Sequence, residues 1–521
     1  MSERYDVIVI GAGLGGLTAA ATLAKAGRKT LLIERNFGVG GAASTYKAGD
    51  LIVEASLHET SDPRDPIDPK HHVLADLGVL DKVNWVPTPS VYEVRGGPVG
   101  LPFVLPEGFA AARAALIERF PQARSGVIEL LDEMERIATG AGALSAGRHA
   151  FDNPLQGVSA LVKVLPLLRN WRLSLTERLA RAFGDDEAIK CALAANILYW
   201  HDDPAKLWWG LFAVAQGGYL ASGGRYIEGG SQRLSSMLAK SMRSSGGELV
   251  LSRMVTEIRL DDAGHPMGVV HEPKKGGARV EAYAPVIVSN AAPAHIARML
   301  PESARERFFA PYADHPLSIS LFSMTLGLSG PPAKVGLNSY STFLLPEWMR
   351  GLSDYTRSAA ILADAPGEVL PPIAVVDYSA IDSGLAGPPH AVSVVGVDRL
   401  ANWSGLDAAA YEAKRKAWSA ALVAGIDRVF PGFASLVVQT VFSTASTMSA
   451  YLNAPDGAVY GFAPEPPAGP FWQGAGRSPQ TPIPGLYLAS SYAGFGGYTG
   501  AILAGASAAE QVLKRGSSST G

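Results

Sequence analysis

The chain has 521 residues, more than one compact domain ordinarily holds, so two domains, or one large domain carrying a lobe, are expected. A formal net charge of -3, from 45 Lys and Arg against 48 Asp and Glu, gives no electrostatic footing for a nucleic-acid partner. Cys191 is the single cysteine, which excludes an intrachain disulfide and reads as a small buried apolar side chain.

Residues 5–10 (YDVIVI) read as a strand buried on both faces. An apolar strand so near the start leaves no room for a secretory signal, so a cytoplasmic protein is expected. Residues 14–26 are Ala-rich and helical, Gly27 is a natural terminator, and residues 29–34 (KTLLIE) form the next strand. Within this βαβ unit, Gly11-Ala12-Gly13-Leu14-Gly15-Gly16 fits G-x-G-x-x-G. The first glycine permits the tight turn, the second lets backbone approach a pyrophosphate, and Gly16 allows close helix–strand packing. The helix N-terminus then faces the phosphates. Glu34, at the end of the second strand, suits a ribose diol and disfavours a 2′-phosphate.

From about residue 106 to 215 three segments carry apolar faces at helical spacing: 126–138, 159–171 and 187–200. Residues 229–260 read as helix, Gly-Gly turn and strand, and 283–293 as a strand running into a loop. Residues 315–330 and 391–400 look like strands of another sheet, and 407–430 like a long helix. Two charge-free stretches, between Lys206 and Arg225 and between Arg477 and Glu510, are broken by glycine or proline and are too short to span a bilayer. Peripheral contact at the inner face of a membrane stays open. The expected fold is α/β: a Rossmann-like dinucleotide domain assembled from 1–80, 215–310 and 470–521. A mixed helical and β-sheet substrate lobe is inserted as 81–214 and 311–469.

Several further segments carry a family resemblance. The glycine pair in Arg35-Asn36-Phe37-Gly38-Val39-Gly40-Gly41-Ala42-Ala43-Ser44 resembles the extended FAD fingerprint of the amine oxidase and phytoene desaturase superfamily. Gly49 to His58 looks like the loop that reaches the flavin in carotenoid desaturases, carotenoid isomerases and retinol saturases. Glu228-Gly229-Gly230-Ser231-Gln232, Ser289-Asn290-Ala291-Ala292-Pro293 and Pro484 to Ser491 followed by Gly496 to Gly500 match in order. The resemblance implies FAD as cofactor. The implied contacts run along the Gly11–Gly16 turn, Glu34, Arg35 and Gly40 to Ser44, then Leu57, His58, Val255, Asn290, Ser491, Gly497, Tyr498 and Thr499. Two departures shift weight from the desaturases towards the isomerases and saturases: Ala42 stands where desaturases usually have Arg, and Ser491 lies near a common Asp.

His58, Glu59 and Tyr498 are the catalytic candidates, because the resemblance sets them beside the flavin. An imidazole of ordinary pKa suits proton transfer; a hydrogen-bonded spacer is the plainer role. His201-Asp202-Asp203, followed by Pro204, reads as a helix-capping turn, and no metal is expected. Trp208, Trp209, Phe212 and Tyr219 form either core or the wall of a substrate tunnel. The expected function is hydride exchange between flavin and the carbon–carbon bonds of a hydrophobic isoprenoid, carotenoid-like or lipid substrate. The alternative is an amine oxidase using oxygen. The sequence is silent on oligomeric state.

Overall fold

The computed structural model describes residues 4–145, 154–385, 387–474 and 477–518. Its first sheet is parallel and five-stranded, in the order Glu248–Val250, Thr30–Ile33, Val7–Ile10, Val286–Ser289, Leu486–Leu488. The central strand, Val7–Ile10, is buried along its whole length, as its unbroken Val/Ile run requires. Helix Leu14–Lys25 packs on this sheet between helix Gln232–Ser244 and the closing helix Gly497–Ser518. Segments far apart in the chain thus converge on one cofactor-type sheet.

The second sheet has seven strands, in the order Val437–Ser443, Ser320–Leu328, His390–Asp398, Ile373–Asp377, Ser341–Leu345, Tyr92–Gly96, Gly100–Leu105. All neighbours are antiparallel except Ser341–Leu345 with Tyr92–Gly96, which run parallel. The sequence offered no pattern for Tyr92–Gly96 and Gly100–Leu105. They join the sheet because burial on the helices behind them selects them. Helices Arg124–Ser145, Leu175–Phe183 and Trp209–Ser222 share one apolar core with this sheet. Helix Ala408–Val429, capped by Asp407 accepting from the Ala410 amide at 2.8 Å, covers the other face.

Three local expectations need correction. The single strand read through 248–260 is two: Ser252 turns the chain at φ 57°, so Glu248–Val250 joins the first sheet while Arg253–Leu260 starts a separate three-stranded one. The helix read over 159–171 divides into Pro154–Lys163 and Leu165–Arg169, because Pro166 cannot continue a ladder begun upstream. His201 to Asp203 forms a turn, yet caps no helix. The His201 Nδ1 accepts from the Asp203 amide at 3.0 Å, and the next helix starts after Trp208.

Candidate functional site

The glycine-rich turn is close-packed. Gly11 sits at φ +92°, which a side chain resists. A Cβ on Gly13 would lie 2.5 Å from Asn290 Nδ2, on Gly15 1.7 Å from the Ala489 carbonyl, and on Gly16 2.0 Å from the Gly11 carbonyl. Close helix–strand packing therefore falls to Gly15 as much as to Gly16. The helix that follows has no side-chain cap and no acidic residue in its first turn. Its free N–H groups and dipole are left for an anion.

Glu34 is buried. Its Oε2 accepts from the Ala12 amide and its Oε1 from the Asn36 amide, both at 2.7 Å. A carboxylate has about four acceptor sites, so two remain for a diol. Arg35 donates to the Ala450 and Tyr451 carbonyls, tying the turn to helix Ala445–Leu452. Glu34→Ala is expected to weaken FAD retention by roughly 10- to 100-fold, the worth of one charge-assisted hydrogen bond of ~1.5–3 kcal/mol. Flavin content after gel filtration checks this, and full retention would remove Glu34 from the ribose site.

One continuous cavity of ≈ 1710 Å³ begins at this turn and reaches Trp171, Trp208, Leu211 and Val214 of the helical lobe. That exceeds the ~300–1,000 Å³ of an ordinary small-molecule pocket and leaves room for a dinucleotide and a second molecule. Gly11, Gly13, Leu14, Gly15, Glu34, Arg35, Gly40, Gly41, Ala42, Ala43 and Ser44 line it, as do His58, Glu59, Val255, Asn290, Ser491, Gly497, Tyr498 and Thr499. Ala12, Gly16 and Leu57 do not. The Ala12 amide is taken by Glu34, Gly16 packs on Gly11, and Leu57 is core. The glycine cradle, the uncapped helix, the Glu34 carboxylate and the closing helix's first turn fit FAD. Of the four aromatics in question, Trp208 and Tyr219 line the cavity, whereas Trp209 and Phe212 belong to the core.

The 54–59 loop is held by buried groups. Glu54 accepts from Thr45 Oγ1 (2.8 Å), the Ser231 amide (2.8 Å) and Ser231 Oγ (2.6 Å), and from the Leu57 amide (3.2 Å). It thereby locks the loop to the segment that opens helix Gln232–Ser244; burial raises its pKa. Three tyrosine hydroxyls then donate to three successive carbonyls: Tyr378 to Leu57 (2.9 Å), Tyr340 to His58, and Tyr219 to Glu59 (3.3 Å). Ser56 Oγ donates to the Ala42 carbonyl and lies 3.2 Å from Tyr498 Oη.

This scaffold sets the electrostatics. His58 is buried, with Nδ1 2.7 Å from Tyr199 Oη and Nε2 3.2 Å from Ser393 Oγ. Burial pushes its pKa down to about 4, so the imidazole is neutral at physiological pH rather than poised near 6.5. Glu59 shifts the opposite way. Burial, then the nearby Glu107 charge, hold its carboxyl well above the usual carboxylate range, and its Oε2 has no hydrogen-bond partner. A carboxyl whose surroundings favour its protonated form and a neutral imidazole thus stand side by side on the cavity wall. Below them Lys70, fully buried, donates to Asp68 (2.9 Å), Ser61 (2.8 Å) and Thr499 (3.0 Å), pinning the closing helix's first turn.

Tyr199, Tyr340, Tyr378, Ser393 and Lys70 were missed by sequence reasoning. Most of them reach the loop from 140 or more positions away, so no local spacing announces them.

Residues 9–66 match the NAD(P)-binding Rossmann-like domain family. Over 98% of its length the chain is 24% identical to the all-trans-retinol 13,14-reductase of Rattus norvegicus, of which 86% is covered. Over 88% of its length it is 27% identical to the neurosporene-forming phytoene desaturase of Rhodobacter capsulatus, of which 84% is covered. Among solved structures, a putrescine oxidase superposes over 99% of both chains with a TM-score of 0.63 at 16% identity, a likeness of fold.

Proposed function

We propose that the chain is an FAD-dependent oxidoreductase of the amine oxidase superfamily and that it acts on carbon–carbon bonds of a hydrophobic isoprenoid, carotenoid-like or lipid substrate. The observation that carries this reading is the cavity's continuation past His58 and Glu59 into Trp171, Trp208, Leu211 and Val214. Relatives that reduce retinol or desaturate phytoene support the substrate class. Residues 1–80, 215–310 and 470–521 are assigned to the cofactor and 81–214 and 311–469 to the substrate.

FAD, when bound, accepts or supplies the hydride. Each hydride moved at a carbon–carbon bond must be matched by a proton given to, or taken from, the adjoining carbon. Glu59 is the group placed to hold that proton, because burial and the Glu107 charge favour its protonated form. His58, neutral and bonded to Tyr199, fixes the hydroxyl beside the reacting region and keeps a second charge out of it. Tyr498 and Thr499 line the cofactor side, and the apolar walls exclude water.

Oxidised and dithionite-reduced holoenzyme, incubated anaerobically with retinoids, carotenes and small amines, tests the assignment. Polyenes should change the flavin spectrum of one redox form, or be isomerised, while amines leave it unaltered. Reduction by amines alone would overturn the proposal in favour of an amine oxidase.

The substrate's entry route extends the reading to a lipid surface. Val158, Leu161, Val162 and Leu165 are exposed apolar side chains on the short helices, and Trp472 is 74% exposed nearby. Trp171 and Arg172 donate to the Gly469 and Ala468 carbonyls, which joins the two pieces beside the cavity wall. Exposed Lys163 and Arg169 add positive charge, a combination suited to an anionic bilayer. No helix among the described residues is long and apolar enough to cross a membrane. Leu161→Glu with Trp472→Glu is expected to reduce co-sedimentation with phosphatidylglycerol-containing vesicles by roughly tenfold or more, since each buried apolar side chain contributes ~1.5–3 kcal/mol. Unchanged sedimentation would place the contact elsewhere.

A further inference from the structure

We infer that Ser61 and Thr499 form a pair of hydrogen-bond donors for an acceptor oxygen bound in the cavity, and that buried Lys70 sets their polarity. The oxygen is of the carbonyl, carboxylate or alcohol type. Two sources carry one: the pyrimidine ring of the flavin and the polar end of a substrate. The first rests on the FAD assignment alone, the second also on the substrate class proposed above.

A short repeat delivers the lysine. Residues 62–70 read Asp-Pro-Arg-Asp-Pro-Ile-Asp-Pro-Lys, three Asp-Pro-X units in succession. In each unit the Asp side chain accepts from the amide two residues on: Asp62 from Arg64 at 2.9 Å, Asp65 from Ile67 at 3.0 Å, and Asp68 from Lys70 at 2.8 Å. Side-chain turns of this kind, with proline fixing φ between them, leave the loop little freedom. The third turn ends on Lys70, whose side chain is buried together with that of Asp68.

The polarity follows from the donor count. An ammonium has three N–H donors and no acceptor. Those of Lys70 are taken by Asp68 Oδ2 at 2.9 Å, Ser61 Oγ at 2.8 Å and Thr499 Oγ1 at 3.0 Å. Both hydroxyls therefore accept from Lys70, and each has its own hydrogen left to give. Neither makes another hydrogen bond among the described residues. A hydroxyl that accepts from a cation is polarised into a stronger donor. Asp68 balances the charge of Lys70, so the wall gains directed donors without a net charge.

Both hydroxyl residues line the cavity, with Lys70 buried behind them. Ser61 lies in strand Thr60–Ser61 and Thr499 in the first turn of the closing helix, so the pair spans two separate elements. Bound to the same nitrogen, their oxygens are near enough for one acceptor at the ~2.7–2.8 Å of an O–H···O bond to bridge both. Space for that acceptor exists beside Ser61: a Cβ on Gly218, which also lines the cavity, would meet only Ser61 Cβ, at 3.9 Å. Glu59 stands two residues before Ser61, roughly 6–7 Å along an extended chain. An oxygen anchored at Ser61 and Thr499 thus sets which part of a bound molecule lies against Glu59.

The test compares the FAD-loaded full chain with Ser61→Ala, Thr499→Val and Thr499→Ser in two arms. Without substrate, loss of a donor to the flavin pyrimidine should lower the midpoint potential by ~30 mV, the two-electron equivalent of a tenfold change. In the second arm, all-trans-retinol and the hydrocarbon of the same carbon skeleton are titrated against the oxidised flavin spectrum. If the oxygen belongs to the substrate, Ser61→Ala and Thr499→Val should weaken retinol by ~3- to 10-fold, the worth of one hydrogen bond, and leave the hydrocarbon unchanged. Thr499→Ser keeps the hydroxyl and should match the wild type in both arms. Lys70→Met combined with Asp68→Asn removes the ammonium, keeps an acceptor for the residue 70 amide, and should reproduce the loss seen without the hydroxyls. Wild-type potential and wild-type retinol affinity in both Ser61→Ala and Thr499→Val would overturn the donor pair, as would equal weakening of retinol and hydrocarbon. A lowered potential in a protein whose flavin only amines reduce would leave the donor pair standing and refute the substrate class.

Discussion

Glu59→Gln is expected to lower turnover by ~10²–10⁴ while FAD stays bound, because the variant keeps the shape of the acid and loses its exchangeable proton. The residue lines the cavity but lies away from the glycine-rich turn, so cofactor retention and turnover should separate. The sign of the pH dependence follows from the direction of the shift. Burial and the Glu107 charge disfavour the carboxylate, so the protonated form persists above the ordinary carboxylate range. A reaction that draws a proton from Glu59 should therefore hold its rate above the ordinary carboxylate range and decline as pH rises through the elevated pKa. In the opposite direction, which needs the carboxylate, the rate should rise over the same interval. Glu59→Gln should lack this limb in both cases. His58 contributes nothing near neutrality, since its pKa of about 4 leaves it uncharged throughout. Measuring kcat against pH in both variant and wild type decides the matter. An unchanged limb in Glu59→Gln would assign the titration to another group.

Gly15→Ala is expected to abolish stable FAD binding and to destabilise the fold. The added Cβ would lie 1.7 Å from the Ala489 carbonyl and 2.8 Å from Asn290 Oδ1. The first helix cannot retreat, because the closing helix presses on it: a Cβ on Gly505 would lie 2.2 Å from the Gly15 carbonyl. Overpacking of this kind costs ~1–3 kcal/mol even where neighbours relax. Any shift also displaces the helix N–H groups that receive the pyrophosphate. Flavin-to-protein absorbance after gel filtration and the melting temperature are the measurements. Gly367→Ala, with nothing within 4 Å of its Cβ, is the control and should change neither. A Gly15→Ala protein that kept its flavin and its Tm would contradict the packing described for this turn.

The dinucleotide end was legible in the sequence because its requirements are local. A buried Val/Ile strand, a glycine turn, an Ala-rich helix and a carboxylate ending the second strand follow one another within 34 residues. Each element is set by its neighbours in the chain, so the order of residue types carries the geometry. The α/β class and the FAD cofactor followed from that stretch together with the family resemblance. The fate of Trp208 and Trp209 was not legible: adjacent in sequence and equally apolar, one faces the cavity and the other the core. Nor did periodicity reveal Tyr92–Gly96, which is a strand because the seven-stranded sheet receives it. The states of His58 and Glu59 were decided furthest from the local sequence. Their ordinary pKa values belong to water. Burial by segments up to some 335 positions away, and the like charge of Glu107, move the imidazole down and the carboxyl up. Desolvation and through-space charge depend on what the folded chain places nearby, and spacing along the chain does not encode that.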